Sequence, residues 1–195
     1  MQPFQRVAAV AVPLAQPNVD TDQIIPSRYL QKPRSVDFGP LLFRDLRFGK
    51  DGGETDFLLN RPPYRDARVV VAERNFGCGS SREQAVWALH DYGIRAVIAP
   101  SFGDIFRSNS LKNGLLPVVL AEPVVMQMIA DLQRAPGAVV TVDLESQVVI
   151  AADGTQHGFD IDPFPKRCLL EGLDELAYTL TLRDRIAAFE QEYAG

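Results

Sequence analysis

The chain has 195 residues, with 20 Lys and Arg against 25 Asp and Glu, giving a formal net charge of −5. With 46% hydrophobic and 23% charged residues it can bury a core, which excludes global disorder, and its acidic balance argues against a phosphate-gripping nucleic-acid surface. Two Cys (Cys78, Cys168) are too few for the four thiolates of an iron–sulfur cluster, and together with two His (His90, His157) they are badly spaced for a structural zinc, so no metal site is expected on this chain. Cysteines so far apart do not suggest a disulfide framework, which points to a reducing cytoplasm. No apolar run approaches the ~18 residues needed to span a bilayer, so a soluble protein with no membrane partner is expected.

In chain order, residues 4–12 read as a buried strand. A secretory h-region is the competing reading, but only Arg6 precedes the apolar run, which is β-branched and broken by Pro13. A polar stretch over 16–23 follows. Residues 26–66 are rich in proline and glycine with little periodicity, long for a connection inside a compact domain. Phe38, Leu41, Leu42, Phe43, Leu46, Phe48, Phe57 and Leu58 are interleaved with charge there, so an ordered excursion packed on the core is expected.

The pattern then becomes regular. Residues 68–73 fit a buried strand, 75–81 a glycine-rich turn, and 82–92 a helix stopped by Gly93, with a strand over 95–100. That is a β–turn–α–β unit of parallel type. A helix over 102–113, a strand over 116–120 and a helix over 123–133 come next. A hairpin is predicted from 139–144 and 147–151, then a strand over 156–161 beyond the Asp153-Gly154 turn. Helices over 165–171 and 182–193 close the chain. The fold class is α/β or α+β, one domain over 1–195 with a long excursion at 26–66.

The segment Asn75-Phe-Gly-Cys-Gly-Ser-Ser-Arg-Glu83 carries most chemical information. Gly77 and Gly79 permit a tight turn and close approach of a ligand to the main chain. A helix N-terminus there favours an anion, and Arg82 supplies a fork of donors matched to a carboxylate. The same residues also spell a capping box, Ser80 with Glu83, and spacing alone favours that cap. Cys78 reads as a small turn residue, and His90 and His157 as side chains without a chemical role.

Four segments occur in order: Asn18-Val-Asp-Thr-Asp-Gln-Ile-Ile-Pro26, Asn75 to Glu83, Ile98-Ala-Pro-Ser-Phe-Gly-Asp-Ile-Phe106 and Asn113-Gly-Leu-Leu-Pro117. Over essentially its whole length the chain resembles the small-subunit family of 3-isopropylmalate dehydratases, the swivelling-domain branch of the aconitase superfamily. The resemblance implies an aconitase-like swivelling domain, layered β/β/α, with a mixed, partly parallel sheet and flanking helices. It implies a cytoplasmic hydro-lyase active only with a large subunit, which carries the [4Fe–4S] cluster. Ser80 corresponds to the family's serine base, Ser81 and Arg82 to carboxylate-binding positions, and Asp22 to an acidic active-site position. The implied reaction isomerises 2-isopropylmalate, a 2-hydroxy diacid, to 3-isopropylmalate in leucine biosynthesis, by loss and re-addition of water through an alkene.

In such enzymes the loop after Asp-Thr-Asp separates substrates. Here Leu30 suits an apolar wall for a branched alkyl group, and Gln31 is neutral where a tricarboxylate enzyme places a cation. Arg28, Lys32 and Arg34 are close enough in sequence to alter that reading if the loop shifts. Two departures stand out: Arg34-Ser-Val-Asp-Phe38 replaces an Arg-Thr-Gly-Phe run, and Gln84 replaces a common histidine. They leave open a paralogous dehydratase for citramalate-like or dimethylmalate-like diacids. A non-catalytic anion-binding module of the same fold is a further alternative. Residues 26–48 are expected to be mobile until a large subunit docks.

Overall fold

A computed structural model describes residues 1–193. Seven strands form one mixed sheet in the order β4-β3-β2-β1-β5-β6-β7. They are β1 (Arg6–Leu14), β2 (Val69–Ala72), β3 (Ala96–Ala99), β4 (Leu116–Val119), β5 (Val139–Asp143), β6 (Val148–Ile150) and β7 (Gln156–Gly158). The nine-residue β1 is the seam. Its Ala11–Leu14 half pairs parallel with β2, and its Arg6–Val10 half pairs antiparallel with β5. Pro13 lies in the half that has β2 alone as its partner, so its missing N–H need not break a ladder on the other side.

Helices α3 (Glu83–Tyr92) and α4 (Asp104–Lys112) make the crossovers β2–α3–β3 and β3–α4–β4, which is why β2 to β4 run parallel. The strands β2 and β3 are buried throughout, and their side chains alternate between two cores. Val70, Ala72, Val97 and Ala99 face a core with Ala85, Val86 and Leu89 of α3. Val69, Val71, Ala96 and Ile98 face the other core, with Val125, Met128, Ile129 and Leu132 of α5 (Glu122–Arg134). This is the mixed, partly parallel sheet with flanking helices that was expected.

The excursion is ordered. It contains α2 (Arg44–Arg47) and four 3-10 turns, and it buries Phe38, Leu42, Phe43, Leu59 and Tyr64. Ties run along it: the Phe43 N–H donates to the Ile24 carbonyl (2.8 Å), Arg28 pairs with Asp45, and Arg34 pairs with Asp91. Its longest exposed runs are Gln31 to Ser35 and Lys50 to Glu54.

Three expectations need correction. β7 ends at Gly158 rather than running to 161, because Phe159 turns into the core at 5% exposure. A helix not foreseen, α7 (Glu175–Thr181), sits between α6 (Pro163–Glu171) and α8 (Arg183–Tyr193). It has no buried residue among those described, so it leaves no apolar stripe to read, and the Asp174 side chain caps it by accepting from the Ala177 N–H (2.7 Å). The predicted capping box at Ser80 and Glu83 is also absent. Arg82 is the N-cap of α3, with extended backbone (φ −136°, ψ 103°) and no side-chain cap.

Candidate functional site

The carboxyl ends of parallel strands are where open α/β sheets collect ligands, since loops from neighbouring strands converge there. Here the segments leaving β1, β2 and β3 meet. After β1, Asp20 caps the short α1 (Thr21–Ile24) in a genuine capping box: its Oδ1 accepts from the Gln23 N–H (2.7 Å), and its own N–H donates to Gln23 Oε1 (3.2 Å). A four-residue helix needs such support to exist.

That helix is laced to the turn after β2. Gly77 N–H donates to the Val19 carbonyl (2.7 Å) and Thr21 N–H to the Cys78 carbonyl (2.9 Å). Thr21 Oγ1, on a residue only 2% exposed, donates to the Ser80 carbonyl (2.9 Å). Asn75 Nδ2 donates to Asn18 Oδ1 (2.8 Å), and both asparagines hold positive φ (62° and 56°). From β3, Ser101 accepts twice, at Oγ from the Asn75 N–H (2.9 Å) and at its carbonyl from the Phe76 N–H (3.1 Å).

Gly77 is obligatory. Its φ is +72°, and a Cβ there would lie 2.2 Å from the Phe106 ring. Phe76, Phe102 and Phe106 form the aromatic floor, with Phe76 and Phe106 centroids 5.4 Å apart. The fourth segment closes the arrangement from α4's end. Asn113 Oδ1 accepts from Trp87 Nε1 (3.0 Å), and its Nδ2 donates to Glu83 Oε1 (2.8 Å).

On this platform Ser80 and Ser81 are exposed. Ser80 spends its carbonyl on the structure, which leaves its hydroxyl for other work. Arg82 is held differently. Its side chain is only 10% exposed, pairs with Asp22 and donates to the Ile25 carbonyl (3.3 Å), while Asp22 is 56% exposed. Both bonds use Nη1, so the rest of the guanidinium fork keeps its donors. The structure therefore brings Asp22, Ser80, Ser81 and Arg82 together. An exposed hydroxyl beside a fixed guanidinium at a helix start can bind a carboxylate and stabilise an anion formed next to it.

The specificity-loop positions are held by other partners. Leu30 is half-buried against the core, and its carbonyl accepts from Gln84 Nε2 (3.0 Å); Gln31 is exposed. Arg34 is committed to Asp91 through two bonds (2.8 and 2.9 Å) and lies over the Trp87 ring (5.2 Å), so it does not join the Ser80 cluster. Thr21 and Gln84 were not foreseen as contributors. Thr21 carried no signal beyond its place between two aspartates, and the Asp20–Gln23 capping-box spacing was the one readable clue to α1.

Burial, then Asp20, pushes the Cys78 thiol up, which suits a turn residue rather than a nucleophile. Burial, then Arg95, pulls His90 down. His157 sits on β7, paired with Val149. Among the described residues no group of three or more His, Cys, Asp or Glu could hold a metal ion, and no helix is long and apolar enough to cross a membrane. The donors present do not fit an iron–sulfur cluster.

Comparison with known proteins follows the same outline. The family model described as aconitase C-terminal domain matches residues 1–123, and one described as LeuD_N matches residues 127–163. A 3-isopropylmalate dehydratase small subunit from Paramagnetospirillum magneticum is 50% identical over 192 residues, covering 98% of this chain and 96% of that protein. One from Jannaschia sp. is 50% identical over 195 residues, covering 100% of this chain and 97% of its own. Among solved structures, the 3-isopropylmalate dehydratase from Methanocaldococcus jannaschii superposes with a TM-score of 0.66 at 28% identity, over 95% of this chain and 99% of that one.

Proposed function

Because the chain belongs to the 3-isopropylmalate dehydratase small-subunit family, within the aconitase superfamily, we propose that it is the small subunit of a two-subunit hydro-lyase acting in leucine biosynthesis. The enzyme interconverts 2-isopropylmalate and 3-isopropylmalate through the alkene. Residues 1–195 act as one swivelling domain that brings its site to a large subunit. The observation that carries this reading is the joining of Asp22 and Thr21 on α1 to Arg82 and Ser80 on the turn, at the ends of β1 and β2.

In the forward direction a proton leaves the methylene carbon α to one carboxylate, and hydroxide leaves the neighbouring carbon. Ser80 Oγ takes the proton. Ser81 and Arg82 hold the carboxylate that gains charge as the proton departs, while Asp22 keeps Arg82 in place. A serine is a weak base unless its anion is stabilised, and the guanidinium with the first-turn N–H groups of α3 provides that; one such aimed donor is worth roughly 3 kcal/mol elsewhere. Re-addition places hydroxide on the former methylene carbon and returns the proton to its neighbour. Hydroxide is a poor leaving group that needs a Lewis acid, and among the described residues no group of donors could hold one. In this reading the large subunit carries the [4Fe–4S] cluster, and the share of this chain is the base and the carboxylate clamp. Leu30 contributes to the wall facing the isopropyl group.

The test is anaerobic reconstitution with a large subunit, following alkene absorbance with 2-isopropylmalate. Turnover is expected from the complex only, and Ser80→Ala should lower kcat by at least about a hundredfold. Turnover by this chain alone, or a Ser80→Ala complex near the wild-type rate, would overturn the reading.

A further inference from the structure

One face of α3 ties the excursion to the site. Gln84, Trp87 and Asp91 are three and then four residues apart, so they line up along the helix. Asp91 holds Arg34 by two bonds and also accepts from the Phe38 N–H (3.1 Å). Trp87 meets Phe38 edge-on at 5.4 Å and carries the Arg34 guanidinium over its ring. Gln84 donates from Nε2 to the Leu30 carbonyl (3.0 Å), in a part-buried setting.

These ties differ in consequence. Those from Trp87 and Asp91 fix residues 34–38, farther along the helix from Arg82. The Gln84 bond starts two positions beyond Arg82, on the first turn of the same helix. Ile25, five residues before Leu30, accepts from Arg82. The loop carrying Leu30 and Gln31 is thus pinned at both ends to the element that presents the clamp. Around Leu30 the remaining main-chain bonds are local, such as Leu30 N–H to the Ser27 carbonyl (3.1 Å). They shape the loop; it is placed by the Arg28–Asp45 pair, by the packing of Tyr29 and Leu30 on the core and, at the Leu30 main chain, by Gln84.

We propose that Gln84 is a positioning residue for substrate selection: its hydrogen bond to the Leu30 carbonyl sets the depth of the wall that receives the branched alkyl group of a 2-hydroxy diacid. The inference rests on the functional reading above. It assigns a role to the position where this chain departs from the histidine common in the resemblance. Histidine and glutamine share the needed property, a neutral N–H donor; methionine matches glutamine in length and lacks it.

The test uses the reconstituted two-subunit enzyme with 2-isopropylmalate and its methyl counterpart, 2-methylmalate. For Gln84→Met the expected result is a KM for 2-isopropylmalate raised about five- to tenfold with kcat within about twofold, the range that losing one hydrogen bond implies. The preference for 2-isopropylmalate over 2-methylmalate, as a ratio of kcat/KM, should fall by a similar factor, and Gln84→His should restore it. Melting of the isolated variants separates a purely structural role, which would lower the midpoint and leave the ratio unmoved. An unmoved ratio with active wild type overturns the inference alone. Wild type inactive on both acids overturns the functional reading and the inference with it.

Discussion

Arg82 shows how one side chain can be fixed and still be available. Its stem is buried and one terminal nitrogen is spent on Asp22 and the Ile25 carbonyl, while its backbone closes the start of α3. Planarity then fixes the direction of the remaining donors, which a lysine could not reproduce. We expect Arg82→Lys to lower kcat/KM for the diacid by about a hundredfold or more while the complex with the large subunit still forms. Steady-state kinetics on the reconstituted enzyme check this, and a loss under fivefold would remove Arg82 from the clamp. At this scale the motif residues were legible, but their bonding was not. Ser80 to Glu83 and Asp20 to Gln23 both have capping-box spacing, and only the second pair forms the box. The extended backbone of Arg82 moves the start of α3 past the serines, and that follows from the lacing to α1, which no local pattern encodes.

At the scale of elements, α3 carries three loads. Its start presents the clamp, one face holds the excursion, and its last turn is covered by charge: His90 Nε2 lies 3.1 Å from Arg95 Nη1, with Asp91 and Arg34 also near. Burial first, then Arg95, disfavours imidazolium in the folded state, so His90 titrates below its ordinary value of 6.5. With the folded pKa depressed, the unfolded chain takes up the proton first. The contribution of His90 is complete above about pH 6.5 and is lost as pH falls below it. His90→Gln should therefore flatten the decline in urea midpoint between neutral pH and about pH 5. Parallel declines in the two proteins would contradict this. Most elements could be read from periodicity because they bury a stripe. α7 could not, since Leu176 and Leu180 are exposed, and the excursion could only be foreseen as ordered. Its ties to α3 and α2 hold parts of 26–48, where the longest exposed run is Gln31 to Ser35.

Across the whole molecule, β1 joins a parallel half, whose carboxyl ends carry the site, to an antiparallel half that extends the sheet away from it. That central placement was invisible in the sequence, since strand order depends on pairings far apart in the chain. The second consequence concerns α7 and α8. Among the described residues neither helix has a buried side chain, and neither core contains a residue beyond Leu170. Their visible links to the body are the Lys112–Glu175 pair (2.9 Å) and contacts of Tyr178 with Phe164 (centroids 4.8 Å apart) and with Arg167. Exposed pairs of this kind contribute about 1 kcal/mol or less, and an edge-on aromatic contact a similar amount. A chain ending at Leu173 should therefore unfold in one cooperative step with its midpoint lowered by no more than about 8 °C, since about 2 kcal/mol shifts a protein of this size by that much. Thermal circular dichroism checks it. A much larger drop, or loss of the cooperative step, would mean that the sheet and its two cores do not stabilise the platform under Ser80 and Arg82 without the terminal helices.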